Sequence, residues 1–316
     1  MDKRQELASA QTIESGFAQR GYICSPKIAT SVFLAAKLGK PVLVEGPPGV
    51  GKTELAKTAA ALLELPLVRL QCYEGLDEAK ALYEWKYGKQ LLYTPVLKEK
   101  LGDLLSGAQG LAESVERLHR FGDIFYSEEF LEPRPLLQAL REKEGAVLLI
   151  DEIDKSDYEF ESLLLEILSD YQVSIPEIGT VRAASIPLVF LTSNNTRDVS
   201  DALKRRCLHL HIPFPSVDLE ERIVASRVPE VEDSLRHQLV SFVHAVRELD
   251  LRKLPAVSET IDWARSLLLL HARELDRDLV ADSLNVLLKF EQDIETASAE
   301  LASLLQDVDK ATRNTH

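Results

Sequence analysis

The sequence predicts an α/β protein built on a parallel sheet and followed by a separate all-helical domain. Three observations carry that expectation. An apolar run, Pro41-Val42-Leu43-Val44, leads through a glycine-rich stretch into residues 54–63, whose Leu and Ala spacing is helical. A second apolar run, Gly145-Ala146-Val147-Leu148-Leu149-Ile150, does not alternate with polar residues, as expected of a strand buried on both faces. After Pro213-Phe214-Pro215 the chain turns helical almost to its end, with Leu219, Ile223 and Val224 on one face of the first helix.

Bulk properties bound the rest. At 316 residues the chain exceeds what one core usually supports, so two domains are expected. With 45% hydrophobic and 28% charged residues the composition is that of a soluble globular protein. A net charge of −14 argues against broad affinity for nucleic acid or anionic membrane, since no basic excess is available to neutralise phosphates. The three cysteines, Cys24, Cys72 and Cys207, are odd in number and lack ligand spacing, so they read as reduced thiols. No apolar run reaches the length of a membrane span. The start, Met1-Asp2-Lys3-Arg4-Gln5-Glu6, has no apolar signal region, so a cytoplasmic protein is expected.

Residues 1–20 are polar and begin as a helix or a loose arm. Ser25-Pro26 then opens a helix, with Ser25 as its cap and Pro26 at its first position, that ends at Gly39. Tyr22 and Ile23, just before it, are either core residues or contacts to an adenine ring.

Between the first strand and its helix lies Gly46-Pro47-Pro48-Gly49-Val50-Gly51-Lys52-Thr53, followed by Glu54. Strand, glycine-rich loop and helix form the context a phosphate-binding loop needs. Backbone N–H groups turn inward around an anion, and the helix N-terminus adds free N–H groups and partial positive charge. In that frame Lys52 reaches the β- and γ-phosphates of ATP, and the Thr53 hydroxyl ligates Mg²⁺.

Residues 65–71 read as the second strand. Residues 72–135 are irregular and hold Tyr73, Tyr83, Trp85, Tyr87, Tyr93, Phe121, Phe125, Tyr126 and Phe130, with Gly102, Gly107, Gly110 and Gly122. Such aromatics serve either as anchors for a partner or as packing beneath long loops. The strand at 145–150 ends in Asp151-Glu152, an acidic pair placed about 100 residues after Lys52. Asp151 would hold Mg²⁺ through water, and Glu152 would orient and deprotonate the water that attacks the γ-phosphate.

Ser156-Asp157-Tyr158-Glu159 reads as a capping box opening a helix with Leu163, Leu164, Ile167 and Leu168 on its apolar face. Residues 171–176 and 179–182 read as a hairpin, and 186–192 as a buried strand ending in Ser193-Asn194-Asn195. The Asn194 amide bonds the attacking water or the γ-phosphate, or else forms a simple turn. Asp201–Cys207 is a short helix ending in Lys204-Arg205-Arg206, before a strand at 208–212 whose His209 and His211 share a face. Those arginines either complement the helix C-terminus or reach an ATP site on a neighbouring subunit. Further helices are expected at about 234–250, 258–273 and 278–306, with a frayed tail from Ala311.

This order of elements resembles the AAA+ ATPases: a P-loop NTPase parallel-sheet core followed by a C-terminal all-helical lid. Leu149-Ile150-Asp151-Glu152-Ile153-Asp154-Lys155-Ser156, with Phe130-Leu131-Glu132-Pro133-Arg134-Pro135-Leu136 and Gln172-Val173-Ser174-Ile175, is similar to the MoxR family, most of all its CoxD-like branch. The resemblance implies residues 1–20 as an N-terminal arm, 21–215 as the ATPase domain and 216–316 as the lid. It also implies a homo-oligomeric ring, a hexamer in such relatives, that uses ATP and Mg²⁺ to remodel a client protein. The expected client is a metalloenzyme under maturation, and the expected helper a partner bearing a von Willebrand factor A domain. By position Asn194 matches sensor 1, Arg206 with Arg205 beside it matches the trans-acting arginine finger, and the hairpin at about 172–183 matches the insertion before sensor 1. Where many relatives start a lid helix with Ser-Pro-Arg, this chain has Ser258-Glu259-Thr260, with Arg252, Lys253 and Arg265 as candidate substitutes. Alternative readings are a nucleic-acid-dependent motor, a small-molecule kinase and a nucleotide switch. The acidic charge, the trans arginines with the helical lid, and Glu152 respectively tell against them.

Overall fold

The structure, a computed structural model, describes residues 7–95, 110, 126–176 and 178–314. Five parallel strands form the central sheet: β1 (Val42–Glu45), β2 (Leu67–Gln71), β5 (Val147–Asp151), β8 (Leu188–Ser193) and β9 (Leu208–His211), in the order β2-β5-β8-β1-β9. Register pairs Gln71 with Asp151, and Glu45 with both Ser193 and His211, so the strands' carboxyl ends line up along one edge. In an open parallel sheet that edge is where ligands bind.

Both faces of the sheet are covered, which is why β1, β5 and β8 are apolar until the polar residues at their carboxyl ends. One face carries α1 (Ala10–Ala18), α2 (Pro26–Leu38) and α3 (Lys52–Leu63), packed on Val42, Val44, Leu149 and Phe190. The other carries α5 (Pro135–Arg141) and α6 (Tyr158–Asp170), packed on Leu43, Leu148, Ile150 and Leu191. Each such fully buried side chain contributes roughly 1.5–3 kcal/mol relative to exposure.

Local differences from the sequence expectations have local causes. Of the two readings of the N-terminal segment, the helix holds over Ala10–Ala18: Ser9 caps α1 by accepting from Thr12 N, and Ile13 and Phe17 are buried. Pro26 does start α2 and Gly39 ends it in the left-handed conformation, but the Ser25 side chain makes no capping bond. The box at Ser156 is replaced by a cap at Asp157, whose carboxylate accepts from Phe160 N at 2.8 Å. Ser156 is already used, donating to Ile153 O to close a 3₁₀ turn over Ile153–Lys155.

The hairpin forms as expected from β6 (Gln172–Ile175) and β7 (Gly179–Arg182), paired antiparallel. In the aromatic region, α4 (Glu78–Ala81) precedes β3 (Tyr83–Trp85), which pairs with β4 (Leu131–Pro133). Trp85 and Phe130 belong to the core, whereas Tyr73, Tyr87, Tyr93 and Tyr126 are exposed. Phe121, Phe125, Gly102, Gly107 and Gly122 lie outside the described residues.

After α7 (Asp201–Arg206) and β9 come α8 (Val217–Arg227), α9 (Asp233–Arg247) and α10 (Val257–Leu269), then α11 (Arg277–Leu287), α12 (Glu291–Ala299) and α13 (Leu301–Asn314). These helices have a core of their own around Trp263, which donates to Ser283 Oγ at 2.9 Å. The single helix expected at 278–306 is three, broken at the extended residues Leu288 and Phe290 and again at Glu300. Tertiary contacts impose the first of these breaks. Leu288 is buried, Arg252 stacks on the Phe290 ring, and Asp293 accepts from Arg252 N and Lys253 N. The tail past Ala311 continues α13 to Asn314 instead of fraying.

One ionic node crosses this helical region. Glu220 on α8 is fully buried and accepts from both Arg247 Nη atoms at 2.6 and 2.8 Å, from Thr260 Oγ1 at 2.7 Å, and pairs with His244 Nε2 at 2.9 Å. Burial opposes its charge, but these bonds outweigh it and pull its carboxyl down to about 2. Among the described residues no helix is long and apolar enough to cross a membrane.

Candidate functional site

The chain from β1 into α3 shapes the site. Gly46 has no alternative: a Cβ there would lie 2.1 Å from Ile212 O. Gly49 has φ +76° and a Cβ there would meet Ala256 Cβ at 2.5 Å, so it needs both glycine's backbone freedom and its lack of side chain. The loop ends at the N-terminus of α3, whose first residue is Lys52.

A cavity of about 770 Å³ opens beside this loop, between the sheet edge and the helical region. Pro48, Gly49, Val50, Gly51, Lys52, Thr53 and Glu54 line it, as do Asp151, Glu152 and Asn194. Gly46 and Pro47 sit behind them, their carbonyls accepting from Lys52 Nζ at 2.6 and 2.7 Å. The third Lys52 donor goes to Asn194 Oδ1 at 2.7 Å, which joins the loop to the tip of β8. Burial pulls Lys52 down to about 8, with Asp154, Asp151 and Glu152 partly restoring its charge.

The two carboxylates at the end of β5 face different partners. Asp151 is buried and accepts from Thr53 Oγ1 at 3.0 Å and Thr192 Oγ1 at 2.5 Å. Arg69 binds its other oxygen through Nε at 3.1 Å and Nη2 at 2.6 Å. Glu152 takes the left-handed conformation at φ 58°, a strained state for a residue with a side chain and one that recurs at functional sites. Its carboxylate accepts from Gln71 Nε2 at 2.8 Å, pairs with Lys155 Nζ at 2.5 Å and lies 3.5 Å from Asn194 Nδ2. Asp154 steadies the turn after Asn194 by accepting from Thr196 N at 3.0 Å and Thr196 Oγ1 at 2.6 Å.

A hydroxyl and a buried carboxylate facing each other at the mouth of an anion-binding loop are the hard oxygen donors that suit Mg²⁺. Lys52, Thr53, Asp151, Glu152 and Asn194 are therefore gathered in one place. Arg205 and Arg206 are not: both are exposed on α7 away from the cavity, and Arg206 bonds Ser169 Oγ at 2.7 Å and Ala202 O at 3.2 Å. Tyr22 is at once core and site, buried against Phe17 and lining the cavity with Ile23. His211 lines the cavity too, while its neighbour His209 contacts Glu45 Oε2 at 2.6 Å.

None of Arg252, Lys253 and Arg265 lines the cavity, although Ser258 does. The lid cation that does is Arg227, which reaches Glu54 Oε1 at 2.7 Å. Sequence reasoning missed Arg227, Arg69, Gln71 and Thr192. A usable signal existed for two of them: Arg69 and Gln71 alternate along β2 and so share a face beside the Asp-Glu strand. The thiols take no part in this chemistry. Burial pushes Cys24 up to about 11 and Cys72 and Cys207 up to about 12, which keeps them protonated.

A parallel sheet with this loop, this acidic strand tip and this helical region defines a nucleotide-binding protein of the AAA+ ATPase class. The chain belongs to the AAA domain family, dynein-related subfamily, whose pattern matches residues 41–207. It is 25% identical over 229 residues to the denitrification regulatory protein NirQ of Stutzerimonas stutzeri, covering 70% of this chain and 69% of that one. It is also 27% identical over 250 residues to an uncharacterized protein of Staphylococcus aureus, covering 76% and 81%. The branch migration motor RuvB of Thermotoga maritima shares 19% identity and a TM-score of 0.42 over 82% of this chain and 67% of that one, too slight a likeness to carry an inference.

Proposed function

We propose that the protein hydrolyses Mg·ATP at the loop of residues 46–53 and uses the cycle to remodel or activate a client protein as a ring of identical subunits. The observation that carries this reading is the contact of Lys52 with Asn194, beside Thr53 on Asp151, which gathers phosphate-binding and water-activating groups in one cavity.

In this reading Lys52 and the loop's N–H groups bind the phosphates, and Glu54 closes the loop's end. Thr53 and Asp151 would hold Mg²⁺, which when bound supplies charge neutralisation at the phosphates. Glu152 takes the proton from the attacking water, and Asn194 orients it. Arg206, with Arg205 beside it, serves a neighbouring subunit's site. Its exposure away from its own cavity supports that assignment, and a cation supplied in trans accelerates such reactions by roughly 10³- to 10⁵-fold. The MoxR-type, CoxD-like reading, with a hexameric ring, a metalloenzyme client and a von Willebrand factor A domain partner, rests on the motifs in the sequence. Its support from relatives is the likeness to NirQ, itself described as regulatory.

The test is ATP turnover per subunit against protein concentration, with Arg206→Ala and Lys52→Ala alongside. Turnover that rises with concentration and collapses in both variants is expected. Turnover that is flat with concentration and indifferent to Arg206 removes the ring.

A further inference from the structure

Asp151 is surrounded more completely than a metal-binding carboxylate needs to be. A carboxylate has about four lone-pair directions. Here Thr53 and Thr192 bond Oδ1 at 3.0 and 2.5 Å, and one guanidinium bonds Oδ2 twice, from Arg69 Nε at 3.1 Å and Nη2 at 2.6 Å. A hydrated divalent cation and a guanidinium seek the same anionic oxygen, so the metal's water shell reaches Asp151 only when a present partner gives way.

The partners differ in how readily they can leave. Thr192 is buried on β8, and Thr53 is itself assigned to the metal. The Arg69 side chain is 49% exposed, against 4% for Asp151, and stands on the solvent side of the pair at the edge strand β2. Its long stem allows it to swing out without disturbing the sheet. Arg69 Nη2 also donates to Gln71 Oε1 at 2.6 Å, and this fixes the amide so that Gln71 Nε2 faces Glu152 Oε2 at 2.8 Å. One arginine thus contacts the carboxylate assigned to the metal and the amide held on the carboxylate assigned to the water.

We propose that Arg69 is a positioning residue that competes with Mg²⁺ for Asp151, holding the carboxylate aimed until the metal displaces it. This rests on the reading of residues 46–53 as an Mg·ATP site. Arg69 sets how much Mg²⁺ the protein requires, and its departure frees the Gln71 amide from the partner that orients it.

The experiment is equilibrium binding of a fluorescent ATP analogue to the full chain, titrated with MgCl₂, for wild type, Arg69→Met and Arg69→Lys. Removing a half-exposed charge-assisted pair is expected to lower the half-saturating Mg²⁺ concentration by roughly 3- to 10-fold in Arg69→Met. Analogue binding without Mg²⁺ should stay within about twofold of wild type, and Arg69→Lys should fall back toward the wild-type midpoint. If Arg69→Met melts early, Arg69→Gln, which keeps a donor and loses the charge, carries the same expectation. A midpoint that is unchanged or higher in the neutral variants, with wild-type Mg²⁺ dependence intact, overturns the role of Arg69 alone. Wild-type binding that ignores Mg²⁺, or that survives Lys52→Ala, overturns the Mg·ATP site itself and this inference with it.

Discussion

Replacing Glu220 with glutamine tests the ionic node of the helical region. The carboxyl falls from an ordinary 4.5 to about 2, because the bonds from Arg247, His244 and Thr260 outweigh the cost of burial. At about 1.4 kcal/mol for each tenfold change in a proton equilibrium, that difference amounts to about 3 kcal/mol of folding stability. Glu220 is fully buried, so solvent screening does not reduce the figure. The sign follows from the depressed value: the unfolded chain takes up the proton first, so the contribution is complete above pH 4.5 and drains away as the pH falls toward 2. The amide of the Glu220→Gln variant would be blind to this titration and would leave the Arg247 charge buried without its partner, a further pH-independent cost. Trp263 lies in the core of the helical region, so urea unfolding followed by its fluorescence, with Trp85→Phe as background, isolates the relevant transition. Wild type should exceed Glu220→Gln by at least about 3 kcal/mol at pH 7, and the gap should narrow steadily below pH 4.5. A gap that keeps the same size from pH 7 to pH 3 would refute the reasoning.

Three further outcomes are expected. Glu152→Gln should keep ATP binding while hydrolysis drops by roughly 10²- to 10⁴-fold, and a wild-type rate in single-turnover assays would strip Glu152 of its role as base. Because the Lys52 ammonium is the form that grips phosphate and titrates at about 8, nucleotide affinity should weaken as pH rises past 8, approaching about tenfold per pH unit. Constant affinity in calorimetry from pH 7 to 10 would contradict this. Gly49→Ala should destabilise the protein by roughly 1–3 kcal/mol, through the left-handed backbone and the clash with Ala256, and an unshifted melting temperature would deny the contact.

What the sequence revealed depended on how local each feature is. Gly46 to Thr53 is eight consecutive residues whose chemistry needs no distant partner, so the loop, Lys52 and Thr53 were legible at once. Asp151-Glu152 was legible because a long apolar strand announces where it ends. The alternation along β2 puts Arg69 and Gln71 on one face, but what that face meets is set by the register that places Gln71 opposite Asp151, a pairing across 80 residues. The same limit explains the helix that proved to be three. Its periodicity continues through Leu288 and Phe290, but Asp293 and Arg252 fix a different path. Arg227 was missed for a third reason: an arginine closing an ordinary surface helix carries no mark of the cavity it turns toward.

The near-contact at Gly49 bears on how the two parts of the molecule communicate. A side chain on residue 49 would touch Ala256 and Ser258, so the tip of the loop and the first turn of α10 rest against each other. That turn is not free to absorb a push. Thr260 ties it to Glu220 and Arg247, and Arg247 in turn holds Pro255 O at 2.8 Å and stacks on the Phe214 ring beside the cavity. Helices coupled in this way would follow a displaced loop as a follower rides a cam. At Ser258-Glu259-Thr260 a displaced loop would reach the helices by touch, beside the charge contact that Arg227 makes with Glu54.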